Sequence, residues 1–205
     1  MAAQDNRSVE RLLLHFRPAL DKLAESLSSL PEFTNAPYDT DDLFLLRYLL
    51  SGSVSPTNPS SSSNLEELPP LPTPEALKKA EGTVRQAVAF RAQNAGWMAP
   101  ARSPMGVAPH SDKLAKHLVG SHHGYAKDES PIYVVRSAHT SAKQLWSTGA
   151  TVEQVTEWAT FRKEALFWKC DEITRRTGRI TKCIYVIDLK GGSIVQDIRG
   201  GRAFG

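Results

Sequence analysis

Five histidines between residues 110 and 139 are the first side chains in this sequence whose type could do chemistry. Histidines at the HExxH spacing of one helix, or paired close to a carboxylate, would indicate a zinc site. None of the five has that spacing, so we predict loop histidines and no bound metal. They are His110, His117, His122, His123 and His139.

Asp188 and the glycines that follow it are the second candidates. Asp188 lies at the end of an apolar run, and the carboxyl ends of parallel strands often carry catalytic groups in α/β enzymes. No nucleophile, base and oxyanion donor accompany it, so the sequence predicts a protein that is not an enzyme. Gly191, Gly192, Gly200 and Gly201 lack the P-loop spacing and no helix signal follows them, which argues against a nucleotide site.

Charge and cysteine usage narrow the class of protein further. The 205 residues include 25 basic and 22 acidic side chains, a balance unlike the basic stripe of a duplex-DNA binder, so no nucleic-acid partner is predicted. The N-terminus lacks the order of a signal peptide, and we expect a cytoplasmic location. Cys170 and Cys183 have no CxxC spacing, which favours two reduced cysteines that serve in packing.

The elements that must position any site begin with a helical region, residues 1–95. From residue 9 to residue 30 the apolar side chains recur in three- and four-residue steps, the spacing of one helical face. Asp39, Thr40, Asp41 and Asp42 supply capping oxygens and negative charge at the start of a short apolar helix. Thr73 with Pro74 begins a third helix. These patterns predict an all-helical N-terminal bundle.

A Ser/Pro-rich stretch at residues 51–72 interrupts that bundle. It offers too little apolar surface to offset the entropy of ordering its backbone, so we predict a disordered insertion. A simple spacer and a phosphorylated regulatory loop both remain open for it.

The second half, residues 110–205, has the pattern of a βαβ unit. Apolar runs at residues 132–135 and 183–189 lack strict polar alternation, as in parallel strands covered on both faces. Between them Thr151 and Gln154 form a capping box, and Gly178 ends the helix. A connector at residues 94–109 and a modest helix at residues 112–119 are predicted before the first strand.

Several of these motifs, in this order, resemble the CRAL-TRIO lipid-binding family. The resemblance covers residues 40–193, and no single motif carries it. The matching segments are Asp41-Asp42-Leu43, Leu46-Arg47-Tyr48-Leu49, Phe90-Arg91, Gly124-Tyr125-Ala126-Lys127-Asp128, Pro131-Ile132-Tyr133-Val134-Val135-Arg136, Glu164 in the long helix, and Ile184-Tyr185-Val186-Ile187-Asp188-Leu189-Lys190-Gly191-Gly192-Ser193.

The resemblance implies an α/β class protein: a helical N-terminal bundle followed by a lobe whose sheet forms the floor of an apolar cavity. Such a lobe carries one hydrophobic ligand, such as phosphatidylinositol, phosphatidylcholine, a tocopherol or a retinoid, and needs no cofactor. We therefore expect lipid binding and transfer with transient attachment to membranes. The family's lobe continues well beyond the Asp-Leu-Lys-Gly strand, so we also expect the lobe to be incomplete here. The alternative is a protein-interaction module that uses the exposed sheet face.

The resemblance also implies candidate lipid-binding residues, which are Tyr133, Val135, Ile187, Leu189 and Ser193. Tyr133 and Val135 alternate with their neighbours, so one pair of side chains should face the helix and the other the cavity, with core packing open for both. Ser193 lies where some members contact a phospholipid headgroup, and it could equally be a turn residue. For Glu164 we expect a structural ion pair rather than lipid contact.

Overall fold

The computed structural model describes residues 7–35, 40–53, 68–136 and 142–190, and these fall into two compact units. The first contains the described residues up to Ala95 together with Gly178–Ile180. The second begins at Gly96, runs to Thr177 and resumes at Thr181. The fold mixes helices with a three-stranded sheet, which confirms the predicted α/β class at that coarse level.

The first unit is helical in its described part. Side-chain oxygens cap its longer helices: Asp41 Oδ1 accepts from the Phe44 amide at 3.0 Å, and Thr73 Oγ1 accepts from the Ala76 amide at 3.2 Å. Both predicted N-caps are therefore confirmed. The helices are α1 (Val9–Leu27), α2 (Pro31–Thr34), α3 (Asp42–Ser53) and α4 (Pro74–Gln93).

Leucine and phenylalanine side chains form the core of this unit. The apolar face predicted for α1 is buried, and the helix continues through Pro18 without a break. It ends at Leu27, earlier than the predicted residue 30, because a residue that precedes proline disfavours the helical conformation and Leu30 precedes Pro31. Fully buried members are Phe16, Leu20, Leu23, Leu27, Phe44, Leu45, Leu46, Leu49 and Val84.

Helix α3 extends into the insertion predicted at residues 51–72. Helix α3 runs to Ser53, and residues 54–67 lie outside the described part of the chain, so the prediction of disorder is not tested there. Residues 68–72 have no regular secondary structure, and the His15 ring is hydrogen-bonded to the Pro69 carbonyl oxygen at 2.9 Å.

The second unit combines a sheet with one long helix. One sequence expectation needs correction: the helix expected at residues 112–119 is a single turn. The connector at residues 94–109 also contributes Ala101 and Ala108 to a core cluster with the long helix. The elements are α5 (Ala95–Met98), a 3₁₀ turn (Ala99–Arg102), α6 (Ser111–Leu114), β1 (Gly120–Tyr125), β2 (Pro131–Arg136), α7 (Ala142–Ser147), α8 (Val152–Thr177) and β3 (Ile184–Asp188).

The sheet has the order β1-β2-β3, with β1 antiparallel and β3 parallel to β2. The predicted parallel pairing of the two apolar runs is confirmed, with Tyr133 opposite Tyr185 and Val135 opposite Ile187. Strand β1 was not predicted, because its sequence Gly-Ser-His-His-Gly-Tyr lacks the apolar alternation of a half-buried strand. Its histidines His122 and His123 therefore lie in a strand and not in a loop.

Helix α8 connects the two parallel strands, and both of its ends are fixed as the sequence predicts. The Gln154 amide donates to Thr151 Oγ1 at 3.2 Å, and the Thr151 amide donates to Gln154 Oε1 at 3.3 Å. Gly178 follows the helix at φ +65°, a backbone conformation that glycine adopts without strain. In the described residues, no helix is long and apolar enough to cross a membrane.

Leu20→Ala tests the helical core of the first unit against a matched substitution in the same helix. Leu20 is fully buried, and its truncation should lower the free energy of unfolding by about 2–5 kcal/mol because it leaves a cavity. Leu14 is 78% exposed, and Leu14→Ala should change the free energy of unfolding by no more than about 0.5 kcal/mol. Urea denaturation followed by circular dichroism measures both, and equal effects would contradict the assigned core.

Candidate functional site

A recess in the second unit lies between α8 and one face of the sheet. Strand residues Tyr133, Val135 and Tyr185 line it on one side, and α8 contributes Trp158 and Arg162 on the other. The remaining lining is mostly aliphatic and comes from residues 118–120 and from α8. Its volume is about 90 Å³ and it opens to solvent. A site that buries a whole drug-sized ligand has roughly 300–1,000 Å³, so this recess encloses only part of such a molecule.

The pleat of the parallel pair explains why these strand residues meet at the recess. Successive side chains of a strand point to opposite faces, so Tyr133 and Val135 share one face, and their in-register partners Tyr185 and Ile187 share it too. The Tyr133 and Tyr185 rings stack with centroids 5.2 Å apart. Tyr133 is buried while Tyr185 is half exposed, so the recess opens toward β3.

Arg162 occupies the polar centre of the recess. Its Nη2 donates to the Gly120 carbonyl oxygen at 2.6 Å, and its Nε donates to the Tyr133 hydroxyl at 3.3 Å. The guanidinium carbon also lies 5.3 Å from the centroid of the Trp158 ring, within the range of a cation–π contact. One half-buried side chain therefore joins α8 to β1 and β2.

Gly120 makes that arrangement possible. A Cβ atom at this position would stand 2.9 Å from the Tyr133 hydroxyl oxygen, closer than carbon atoms of this kind approach. The absence of a side chain lets the hydroxyl sit against β1 and receive the Arg162 hydrogen bond. Glycine is required here for a close approach and not for its backbone freedom.

Desolvation raises the pKa values of two side chains beside the recess. Burial is the main cause that raises the pKa of Tyr185, the nearby Tyr133 raises it further, and the positive charge of Arg162 opposes both. Burial likewise raises the pKa of the Cys183 thiol. Both groups are therefore neutral near pH 7, and Cys183 has no thiolate character to act as a nucleophile.

The five lipid-binding candidates predicted from the sequence do not share one position in the structure. Tyr133 and Val135 line the recess on the face that α8 covers, whereas the sequence placed the lipid-binding pair on the face opposite the helix. Ile187 follows beside Val135 on the same face and is 55% exposed, while Leu189 lies just after β3 and is 65% exposed. Ser193 lies outside the described residues. Their role in lipid binding stays a prediction.

Among three residues at the centre of the recess, Gly120 and Arg162 were not predicted, and Trp158 was predicted only as part of the apolar face of the long helix. A signal existed for two of them, because Trp158 and Arg162 are four residues apart and share one face of the predicted helix. The signal was weak, since an arginine on a helix is usually a solvated surface residue. Gly120 offered no signal, because β1 itself was not predicted.

Other candidates from the sequence have local roles. The buried Glu164 carboxylate accepts from the Trp168 indole at 2.9 Å. Asp188 Oδ1 accepts from the Lys190 amide at 3.0 Å in the turn after β3. His110 contacts the Glu157 carboxylate at 2.8 Å. Across the described ranges no three His, Cys, Asp or Glu side chains gather as a metal site would require.

Gly120→Ala tests the packing at the centre of the recess. The added methyl group would displace the Tyr133 hydroxyl, so we expect a loss of about 1–3 kcal/mol in the free energy of unfolding. Gly96→Ala is the matched control, because a Cβ atom at Gly96 meets nothing within 4 Å. Thermal and urea unfolding measure both variants. A Gly120→Ala protein as stable as the control would show that the close approach is not required.

Comparison with known proteins adds no relative to this picture. No protein-family profile matches the chain, and no curated protein sequence matches it.

Proposed function

We propose that this protein binds a lipid, and that the second unit is a lipid-binding lobe of the CRAL-TRIO type. The observation that carries the proposal is the recess between α8 and the sheet, which is apolar, opens to solvent and continues along β3. The order of motifs that resembles the family supports the same proposal. The recess encloses no catalytic constellation within the described residues, so the proposed activity is binding and transfer without bond cleavage.

The exposed side chains of β3 support a ligand larger than the recess itself. Tyr185 and Ile187 are 51% and 55% exposed on the face that lines the recess. They extend its apolar lining as an open groove, defined here as the recess plus Tyr185 and Ile187. Covering apolar surface with an acyl chain gains roughly 25 cal/mol per Å² removed from water. An acyl chain lying along the groove would cover both side chains.

The opposite face of the sheet supports a second candidate function, protein docking. By alternation it carries Ile132, Val134, Ile184 and Val186, two aliphatic cross-strand pairs that remain half-buried or exposed. A polypeptide could cover these four side chains as well as a lipid could. We favour lipid binding on the α8 side, because that side combines apolar lining with an enclosed volume.

A pair of neighbouring substitutions on β3 separates the two faces. Ile187→Glu places a charge in the groove, and we expect it to weaken binding of a fluorescent phosphatidylcholine or phosphatidylinositol by about 10–100-fold, the cost of losing one buried aliphatic contact. Val186→Glu is the matched control, since Val186 has similar exposure and the opposite orientation. It should change lipid binding less than threefold. Labelled lipid transferred from vesicles to protein is measured by fluorescence after gel filtration.

Three results would count against this proposal. A wild-type protein that takes up no labelled lipid would favour protein docking. Loss of lipid binding in Val186→Glu with normal binding in Ile187→Glu would place the lipid on the opposite face. Equal loss in both variants, with normal circular dichroism, would show that binding does not depend on the groove.

A further inference from the structure

Positive charge in the recess has no acidic counterpart among the described residues. Arg162 and Lys163 both line it, and the described part of its lining includes no aspartate or glutamate. The partners of the Arg162 guanidinium are the neutral Gly120 carbonyl and Tyr133 hydroxyl, and none of the ion pairs among the described residues includes it. A half-buried cation without a counter-ion is costly, and an anion bound beside it would relieve that cost.

The Tyr133 hydroxyl is a further hydrogen-bond donor of the same recess. Its oxygen accepts from Arg162, so its own proton is available to donate. A ligand oxygen in the recess would supply an acceptor for that proton.

We infer that the recess binds the anionic head of a lipid, a carboxylate or a phosphodiester, at Arg162. The inference rests on the proposed function and specifies its ligand class. Arginine has five N–H donors, and the two hydrogen bonds to Gly120 and Tyr133 leave donors for a ligand oxygen. Lys163, which is exposed, adds positive charge at the opening.

The volume of the recess and the direction of its opening fit a lipid whose head lies in the recess and whose tail lies outside it. A volume of about 90 Å³ holds a carboxylate and a few carbon atoms but no complete acyl chain. The remaining chain would leave toward β3, along Tyr185 and Ile187. The ligand class is therefore an amphiphile with one negative charge at one end, and a neutral lipid of the same length would lack the contact with Arg162.

Binding of cis-parinaric acid and of its methyl ester to the wild-type chain tests this inference without any mutation. The two fluorescent probes share one tail and differ in the charge of the head. At pH 8 the acid should bind at least about tenfold more tightly, since hydrogen bonds to a charged group contribute more than neutral ones. Equal affinities would overturn the inference and leave lipid binding intact. Absence of binding by both probes would instead contradict the proposed function, together with this inference.

Two substitutions then locate the contact. Arg162→Gln keeps a hydrogen-bonding side chain but removes the charge, and it should reduce the preference for the acid over the ester by about tenfold. Tyr133→Phe removes only the hydroxyl group and should reduce this preference by a smaller factor. Arg176→Gln, on the same helix but outside the recess, is the matched control and should keep the wild-type preference. An unchanged preference in Arg162→Gln would overturn the inference.

Competition experiments distinguish the two sources of negative charge. Oleate, dioleoylphosphatidylglycerol and dioleoylglycerol are compared as displacers of bound parinaric acid. Displacement by oleate alone would assign a carboxylate head, and displacement by the phosphatidylglycerol would assign a phosphodiester. Displacement by neutral dioleoylglycerol at the same concentration as the anions would overturn the requirement for charge.

Discussion

The in-register parallel pairing of β2 and β3 against α8 is the constraint on which the second unit depends. Once Tyr133 lies opposite Tyr185, the pleat sends alternate side chains of both strands to the same face. A shift of one residue in either strand would reverse the face of its side chains. The same pairing therefore decides which residues line the recess and which form the opposite aliphatic face.

Arg162 makes this arrangement specific. Apolar packing between a helix and a sheet is largely non-directional, whereas hydrogen bonds to the Gly120 carbonyl and the Tyr133 hydroxyl hold one orientation of α8 relative to β1 and β2. The Arg162 charge lies in an apolar recess, and the described part of the chain supplies no acidic partner for it. One side chain thus contributes to the fold and supplies the recess with its recognition chemistry, and stability and ligand preference are expected to be coupled at this position.

The sequence was most informative where a local rule acts alone. Apolar runs identified β2 and β3, the Thr151–Gln154 capping box and Gly178 marked the ends of α8, and Asp41 and Thr73 marked helix starts, because these signals need no distant residue. Strand β1 was not predicted, because its pairing with β2 supplies the stability that its own side chains lack. The recess was not predicted either, because it also depends on residues that are distant in sequence. Gly120, Tyr133 and Arg162 meet only after the chain has folded. Alternation showed that Tyr133 and Val135 share one face of the sheet, but the sequence assigned that face to the cavity and not to α8, because alternation alone does not say which face a helix covers.

Covalent mapping of a bound lipid tests the central claim most directly. A fatty acid with a diazirine near the middle of its chain is bound to the protein, irradiated, and its attachment sites are read by tandem mass spectrometry. The account predicts attachment on the α8-facing side, at Tyr185, Ile187 and their neighbours in the groove. Attachment concentrated at Ile132, Val134, Ile184 and Val186 would contradict it, and so would attachment spread evenly over both faces.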